Sequence, residues 1–309
     1  MTRTTPDHGG ASRAATAVIL ARGLGTRMRA GDEGSPAPAL SPAQRAAADA
    51  GAKGLMPVGG RPLLDHVLEA LHAGGVRDVV FVVAPDETAL RSRYLREAPP
   101  AGLIVRFAEQ AEPRGTADAL LAARNAVVGR EGMLNAESAS SADFLMLNAD
   151  NLYPVESIAA LVALGEPGLI AYDADALVEH SNIDRERVRQ FALLDLALDD
   201  TLRDIVEKPD ADHPLVTNAA NGRWVSMNLW RFPQSIFDDC AAVKPSVRGE
   251  LELADAVRHA IRVRGVRFRA VRQRLGVLDL SRRADVAVVD ALLIRNAGTA
   301  AASRTVSTD

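Results

Sequence analysis

The chain has 309 residues and a formal charge of −4, with 48% hydrophobic and 25% charged residues. Those proportions belong to an ordinary globular protein, which excludes a disordered or fibrous chain, and the slight acid excess leaves no basic footprint for nucleic acid. Lys and Arg together number 36, of which only Lys53, Lys208 and Lys244 are lysines. Arginine is therefore the routine surface cation, and each lysine calls for a reason. The single cysteine, Cys240, cannot form an internal disulfide and is expected to be buried, and the six histidines show no zinc-ligand spacing. No segment approaches the ~18 apolar residues of a membrane span. The apolar run at 14–21 is cut by Arg22, against a signal peptide, so a cytoplasmic protein is expected.

In chain order, residues 1–13 are polar and are expected to fray, as is the tail 296–309. A first strand is expected over 17–21. Residues 30–52, rich in Ala, Pro and Gly, read as an inserted flap over the turn that follows this strand. Inside it, Ser41-Pro42 is a helix start and Gly51 a stop. A helix over 61–75 has Pro62 in its first turn, an apolar face of Leu64, Val67, Leu68 and Leu71, and Gly74-Gly75 at its end. Then follow a strand at 79–84, a helix at 87–96, a strand at 103–107, a helix at 116–128 and a strand at 144–147. The second part is more mixed, with strands at 191–196, 202–206 and 225–232, a helix at 250–263, a late strand at 277–280 and a helix to about 293. This alternation predicts an α/β fold, a doubly wound and mostly parallel sheet with helices on both faces. In such sheets ligands bind outside the carboxyl ends of the strands.

The first strand runs into Leu20-Ala21-Arg22-Gly23-Leu24-Gly25-Thr26-Arg27-Met28. Two glycines one residue apart allow a tight turn whose N–H groups face an anion, and Arg27 adds a planar charged fork suited to phosphate. A dinucleotide fingerprint would need a glycine where Met28 stands, and the Gly-Lys-Ser/Thr of a Walker A loop occurs nowhere.

The segment resembles the signature of the sugar-1-phosphate nucleotidyltransferases, roughly L-A-x-G-x-G-T-R followed by K-x-L-x-P-V. The second piece stands here as Lys53-Gly54-Leu55-Met56-Pro57-Val58. The likeness continues at Gln110 with Gly115-Thr116-Ala117, at Asn148-Ala149-Asp150-Asn151, at Val206-Glu207-Lys208-Pro209, at Gly249-Glu250-Leu251-Glu252-Leu253 and at Val277-Leu278-Asp279-Leu280. The resemblance implies one domain over 14–295, Rossmann-like and of the GT-A type, with a nucleotide-binding half at 14–150 and a mixed sugar-binding half at 151–295. It implies transfer of a nucleotidyl group from a nucleoside triphosphate to a sugar 1-phosphate, with release of pyrophosphate.

It also assigns roles. Asp150 and Asp279 would hold Mg2+, with Leu280-Ser281 replacing the usual glycine-threonine after Asp279. Arg27, Lys53 and Lys208 would handle phosphate. Leu20, Ala21, Gly23, Gly25, Thr26, Gln110, Gly115 and Thr116 would contact the nucleotide, and Glu207 and Asn228 the sugar. Other readings stand beside these: Asp150 or Thr116 as helix caps, Trp224 and Trp230 as core, and Lys244 as plain surface charge. Partners would be the two substrates, with no nucleic acid or membrane, and assembly into a homo-oligomer is left open. Arg22, Ala149 and Phe191-Ala192 depart from the family's small residues, and the last of these points to a non-standard sugar or cyclitol phosphate. No hexapeptide repeat precedes Asp309, so an acetyltransferase domain is not expected. The alternatives are a metal-dependent glycosyltransferase, whose D-x-D would here read Asn148-Ala149-Asp150, and a regulatory subunit with a dead site.

Overall fold

The computed structural model describes residues 15–23, 25–30, 40–129, 143–210, 212–217 and 223–305. The readings of 1–13 as a frayed end and of 31–39 as flap fall outside them. Among the described residues nine strands form the main sheet. They are β1 Ala15–Leu20, β2 Val76–Val83, β3 Ile104–Glu109, β4 Phe144–Asn148, β5 Gly168–Asp173, β6 Ala192–Leu196, β7 Leu202–Val206, β8 Trp224–Phe232 and β9 Arg269–Gln273.

The first four strands lie in the order β4-β1-β2-β3, all parallel. β2 and β4 are mostly Val, Leu, Met and Phe and are largely buried, as strands covered on both faces require, while the edge strand β3 is more exposed and carries Arg106 and Glu109. Successive side chains point to opposite faces. Ala17, Ile19, Val79 and Phe81 therefore join one core with the helix Leu63–Ala73. Val18, Val80 and Val82 join another with the helices Thr116–Ala122 and Leu253–Arg264. Helices on both faces make the sheet doubly wound, as expected. The anticipated face of Leu64, Val67, Leu68 and Leu71 is the buried one.

The later strands are mixed. β8 pairs antiparallel with β5 along its length, with β6 through Val225 and Ser226, and with β4 through Trp230 to Phe232. Its register with β5 breaks between Ser226 and Trp230, and Asn228 in that break has φ 57°. β6 and β7 are antiparallel, and β9 is parallel to β5. Neither β5 nor β9 is evident in the sequence. β5 is buried throughout and lacks alternation, while β9 carries Arg269 and Arg272.

Several boundaries move. The helix expected over 87–96 is Ala89–Ser92 followed by a wider turn, Arg93–Glu97, in which Arg93 and Tyr94 both turn to Asp65. The helix expected from 250 begins at Leu253. The late strand is a two-residue ladder, Leu278–Asp279 against Asn151–Leu152, outside the main sheet. The last helix runs Asp285–Thr305, past the stop expected near 293, because the Ala-rich run there favours helix. The helix Pro42–Ala50 begins and ends where Ser41 and Gly51 predict. Ser41 and Gln44 form a reciprocal cap, and Gly51 closes the helix at φ 70°. It packs through Ala48 on a third small core with Met56, Leu280, Val286 and Val289. Cys240 and Trp230 are buried and Lys244 is exposed, as anticipated. No helix among the described residues is long and apolar enough to cross a membrane.

Candidate active site

The chain runs outward from β1 to β2 and β3, then returns to place β4 on the other side of β1. That reversal makes a crevice at the carboxyl ends of β1 and β4, where an open parallel sheet binds its ligand. Ala149 N–H donates to Leu20 O across it at 3.1 Å. A cavity of about 440 Å³ opens there, with Leu20, Ala21, Gly23, Lys53, Gln110, Gly115, Thr116 and Asp150 among the residues on its walls. A second cleft of about 140 Å³ holds Glu207, Lys208, Asn228 and Arg248, and it shares Thr116 and Glu250 with the first.

The sequence stations are built against one another in pairs. Gly25, at φ 62°, sits so close to Gly51 that a Cβ would lie 2.6 Å from the Gly51 oxygen. Its glycine character therefore serves the contact between the glycine turn and the Lys53 segment. Gly115, at φ 120°, meets Leu251 in the same way, with a Cβ 2.5 Å from the Leu251 oxygen. Around it Leu251 N–H donates to Arg114 O, Ala117 N–H to Leu251 O, and Leu253 N–H to the Thr116 hydroxyl at 2.9 Å. Thr116 is thus a cap, but for the start of the distant helix Leu253–Arg264 rather than for its own.

The third pair carries the carboxylates. The ladder between Asn151–Leu152 and Leu278–Asp279 brings Asp150 and Asp279 together, and Leu280 N–H donates to Asp150 O at 2.9 Å. Asp150 is not a helix cap, since the helix Val155–Ala163 is preceded by Pro154. Its carboxylate accepts from Lys53 Nζ at 3.1 Å. Asp279 is buried beside the buried Arg187, which reaches Asp279 at 3.1 Å and Asp285 at 2.7 Å. Burial, then the Asp150 charge, pushes the Asp279 carboxyl up to about 6, with Arg187 opposing the rise. Asn182 clamps the Asp279 backbone through both its amide atoms, at 2.7 and 2.8 Å. Among the described residues no three His, Cys, Asp or Glu side chains form a metal cage, so the aspartate pair is the candidate metal site.

In the smaller cleft, backbone strain stands out. Of the three non-glycine residues with positive φ among those described, two are Lys208 at 43° and Asn228 at 57°. Such conformations hold only where surrounding structure fixes them, and they cluster at functional sites. The Asn228 N–H donates to the Ser226 hydroxyl at 3.1 Å. The Glu207 carboxyl is pushed up by desolvation in the cleft and then by the charge of Glu252. Glu252 itself accepts from Arg248 at 2.7 Å.

Four anticipated residues, Gly25, Thr26, Arg27 and the buried Asp279, line neither cavity. Gly25 is buried against Gly51, while Thr26 and Arg27 are exposed at the start of the short helix Thr26–Ala30. Gln110 faces the larger cavity, but its amide nitrogen donates to Asp118 at 2.8 Å and to Gly115 O at 3.2 Å. Arg187 and Asn182 were not foreseen. Arg187 is one arginine in a chain full of them, and only its burial distinguishes it.

The model of the nucleotidyl transferase family matches residues 48–274. The chain belongs to that family. The matched segment holds Lys53, Gln110, Asp150, Lys208 and Asn228, and leaves the glycine turn and Asp279 outside. Among curated relatives, the bifunctional protein GlmU of Methanococcus maripaludis is 24% identical over 245 residues, 79% of this chain and 46% of the relative. The UTP–glucose-1-phosphate uridylyltransferase AglF of Haloferax volcanii is 26% identical over 80% of this chain and 83% of its own length. The chain thus spans about half the length of the bifunctional relatives it matches. A UTP-bound UGPase from Acinetobacter baumannii superposes with a TM-score of 0.62 over 90% of this chain and 92% of the other. At 18% identity that likeness speaks for the fold.

Proposed function

We propose that this chain transfers a nucleotidyl group from a nucleoside triphosphate to a sugar, or sugar-like, 1-phosphate, forming a nucleoside diphosphate sugar and pyrophosphate. The observation that carries this reading is the junction of the two cavities at Thr116 and Glu250, with the Lys53–Asp150 pair on the wall of the larger. One cavity suits a nucleotide and the other a small polar acceptor, with Lys53 and Asp150 on the wall of the first and Lys208 on that of the second supporting this reading.

In this reaction an acceptor phosphate oxygen attacks the α-phosphorus in line, and the bond to pyrophosphate breaks. Little covalent work falls to the protein, which must position two anions and offset their repulsion. Lys208 would draw the acceptor phosphate into the smaller cleft, with Glu207 and Asn228 accepting and donating to its hydroxyls. Lys53 would hold the triphosphate, exchanging its present carboxylate partner for phosphate oxygens. A compact ammonium suits this better than a guanidinium fork, which explains lysine in a chain that otherwise uses arginine.

Magnesium fits the aspartate pair. Its donors are hard carboxylate oxygens, and Asp279 Oδ1 is buried with no hydrogen-bond partner among the described residues. Asp150 and Asp279 would hold the ion, and Arg187 and Asn182 would hold Asp279. When bound, the ion supplies charge neutralisation at the α-phosphate and at the attacking oxygen.

The test is a panel of nucleoside triphosphates and sugar 1-phosphates with magnesium, read as pyrophosphate release. Release that needs both substrates supports the proposal. Glycosyl transfer from a nucleotide sugar without pyrophosphate would replace it with the glycosyltransferase reading.

A further inference from the structure

Of the side chains on the wall of the larger cavity, Arg22 is the one with buried nitrogens that lack a partner among the described residues. Its Nη2 donates to Ala111 O at 2.8 Å, while Nε and Nη1 have no acceptor. A buried donor without an acceptor is costly, and it points to something missing from the cavity.

The position of the guanidinium says which part of a nucleotide it would meet. Arg22 follows β1 and Ala111 follows β3, with β2 between them, so the side chain crosses two strand spacings away from β4. Asp150 lies just past β4, on the other side of β1. At ~4.8 Å per strand, roughly 14 Å separates the Ala111 end of the cavity from the Asp150 end. Phosphates belong with Lys53 and Asp150, so the base lies at the Arg22 end. Gln110 is at the same end, but its amide nitrogen is already engaged by Asp118 and Gly115.

A guanidinium presents its protons as two parallel pairs, one from Nε and Nη2 and one from Nη1 and Nη2. Ala111 O takes one Nη2 proton. Whichever it takes, one complete pair remains, with Nε or Nη1 as its second member. Such a fork is satisfied only by two neighbouring acceptors. Guanine offers O6 and N7, the usual arginine target. Cytosine offers O2 and N3. In uracil and thymine the two carbonyls are separated by the N3–H donor, and in adenine N1 and N7 each stand beside the amino group while N3 is a single acceptor.

Resting on the nucleotidyl transfer proposed above, we infer that Arg22 selects the nucleobase, favouring guanine or cytosine triphosphates over those of uracil, thymine and adenine. The small residue usual at this position in the family leaves no such fork.

The experiment titrates the full-length chain, with magnesium, against GTP, CTP, UTP, dTTP and ATP by calorimetry. GTP or CTP is expected to bind about tenfold or more tightly than the other three, the discrimination of one good bidentate pair. Arg22→Ala and Arg22→Lys should each bring all five within about threefold of one another, since neither keeps the fork. The lysine variant retains the cation, and its thermal melt shows that the fold is intact. Preference for UTP, dTTP or ATP in the wild type overturns the inference. So does an equal weakening of all five by both variants, which would put Arg22 on the triphosphate. Absence of binding by every triphosphate would instead overturn the nucleotidyl transfer itself, and the inference with it.

Discussion

The two halves of the molecule reach their site residues by different means. In the first, four parallel strands end at one level, and the residues just beyond β1, β3 and β4 face a common cavity because of where their strands stop. In the second, the ladders are mixed, and Lys208 and Asn228 enter the cleft from backbone held at positive φ. A regular sheet can deliver side chains from its edge without strain. A mixed sheet needs a break, here the register shift in β8. Placing a residue in that way depends on the rest of the structure holding it.

The contrast can be broken by substitution. The largest effect is expected in the second half, at Arg187, whose replacement by methionine leaves Asp279 and Asp285 buried without their cation. Breaking a buried pair from one side costs about 3–5 kcal/mol, so urea unfolding should shift by that much. A shift within experimental error would mean that the carboxylates are held by something other than Arg187. Next comes Lys208→Ala, which should leave the unfolding curve in place and lower kcat roughly 10²–10³-fold, the cost of one charge-stabilising donor. Steady-state rates of pyrophosphate release check this, and near-normal turnover would remove Lys208 from the reaction.

In the first half the expected losses are smaller and structural. Gly115→Ala forces an alanine into φ 120° against the Leu251 backbone, with a strain cost of about 1–3 kcal/mol. Because Gly115 lines the larger cavity and directly precedes Thr116, which both cavities share, KM should rise for both substrates, and a change in only one would argue against coupling through Thr116. The smallest effect is Ser41→Ala, which removes the cap of the helix Pro42–Ala50. It should lower stability by about 1 kcal/mol and leave kcat unchanged. A clear fall in kcat would show that this helix takes part in turnover.

Much of the first half is legible in the residues themselves. Continuous apolar runs mark buried parallel strands. The turn glycines mark backbone that must approach other backbone, although Gly25 and Gly115 meet Gly51 and Leu251 rather than facing the cavity openly. Thr116 reads as a cap, yet the helix it caps is 137 residues away in sequence. β5 and β9 are hidden, one because it is buried on both faces and shows no alternation, the other because its arginines resemble surface loop.

The sequence by itself determined the α/β alternation, the glycine turn, the capped helix at Pro42–Ala50 and the scarcity of lysine. These are local properties, written in periodicity, backbone freedom and residue type. Only the tertiary structure decided that Asp279 stands beside Asp150, that one arginine among many is buried against it, and that Arg22 reaches past β2 to Ala111 with two nitrogens left unpaired. The physical reason is the same in each case. The energy of a charged group depends on its burial and on the charges around it, and both are set by which distant segments the fold brings together.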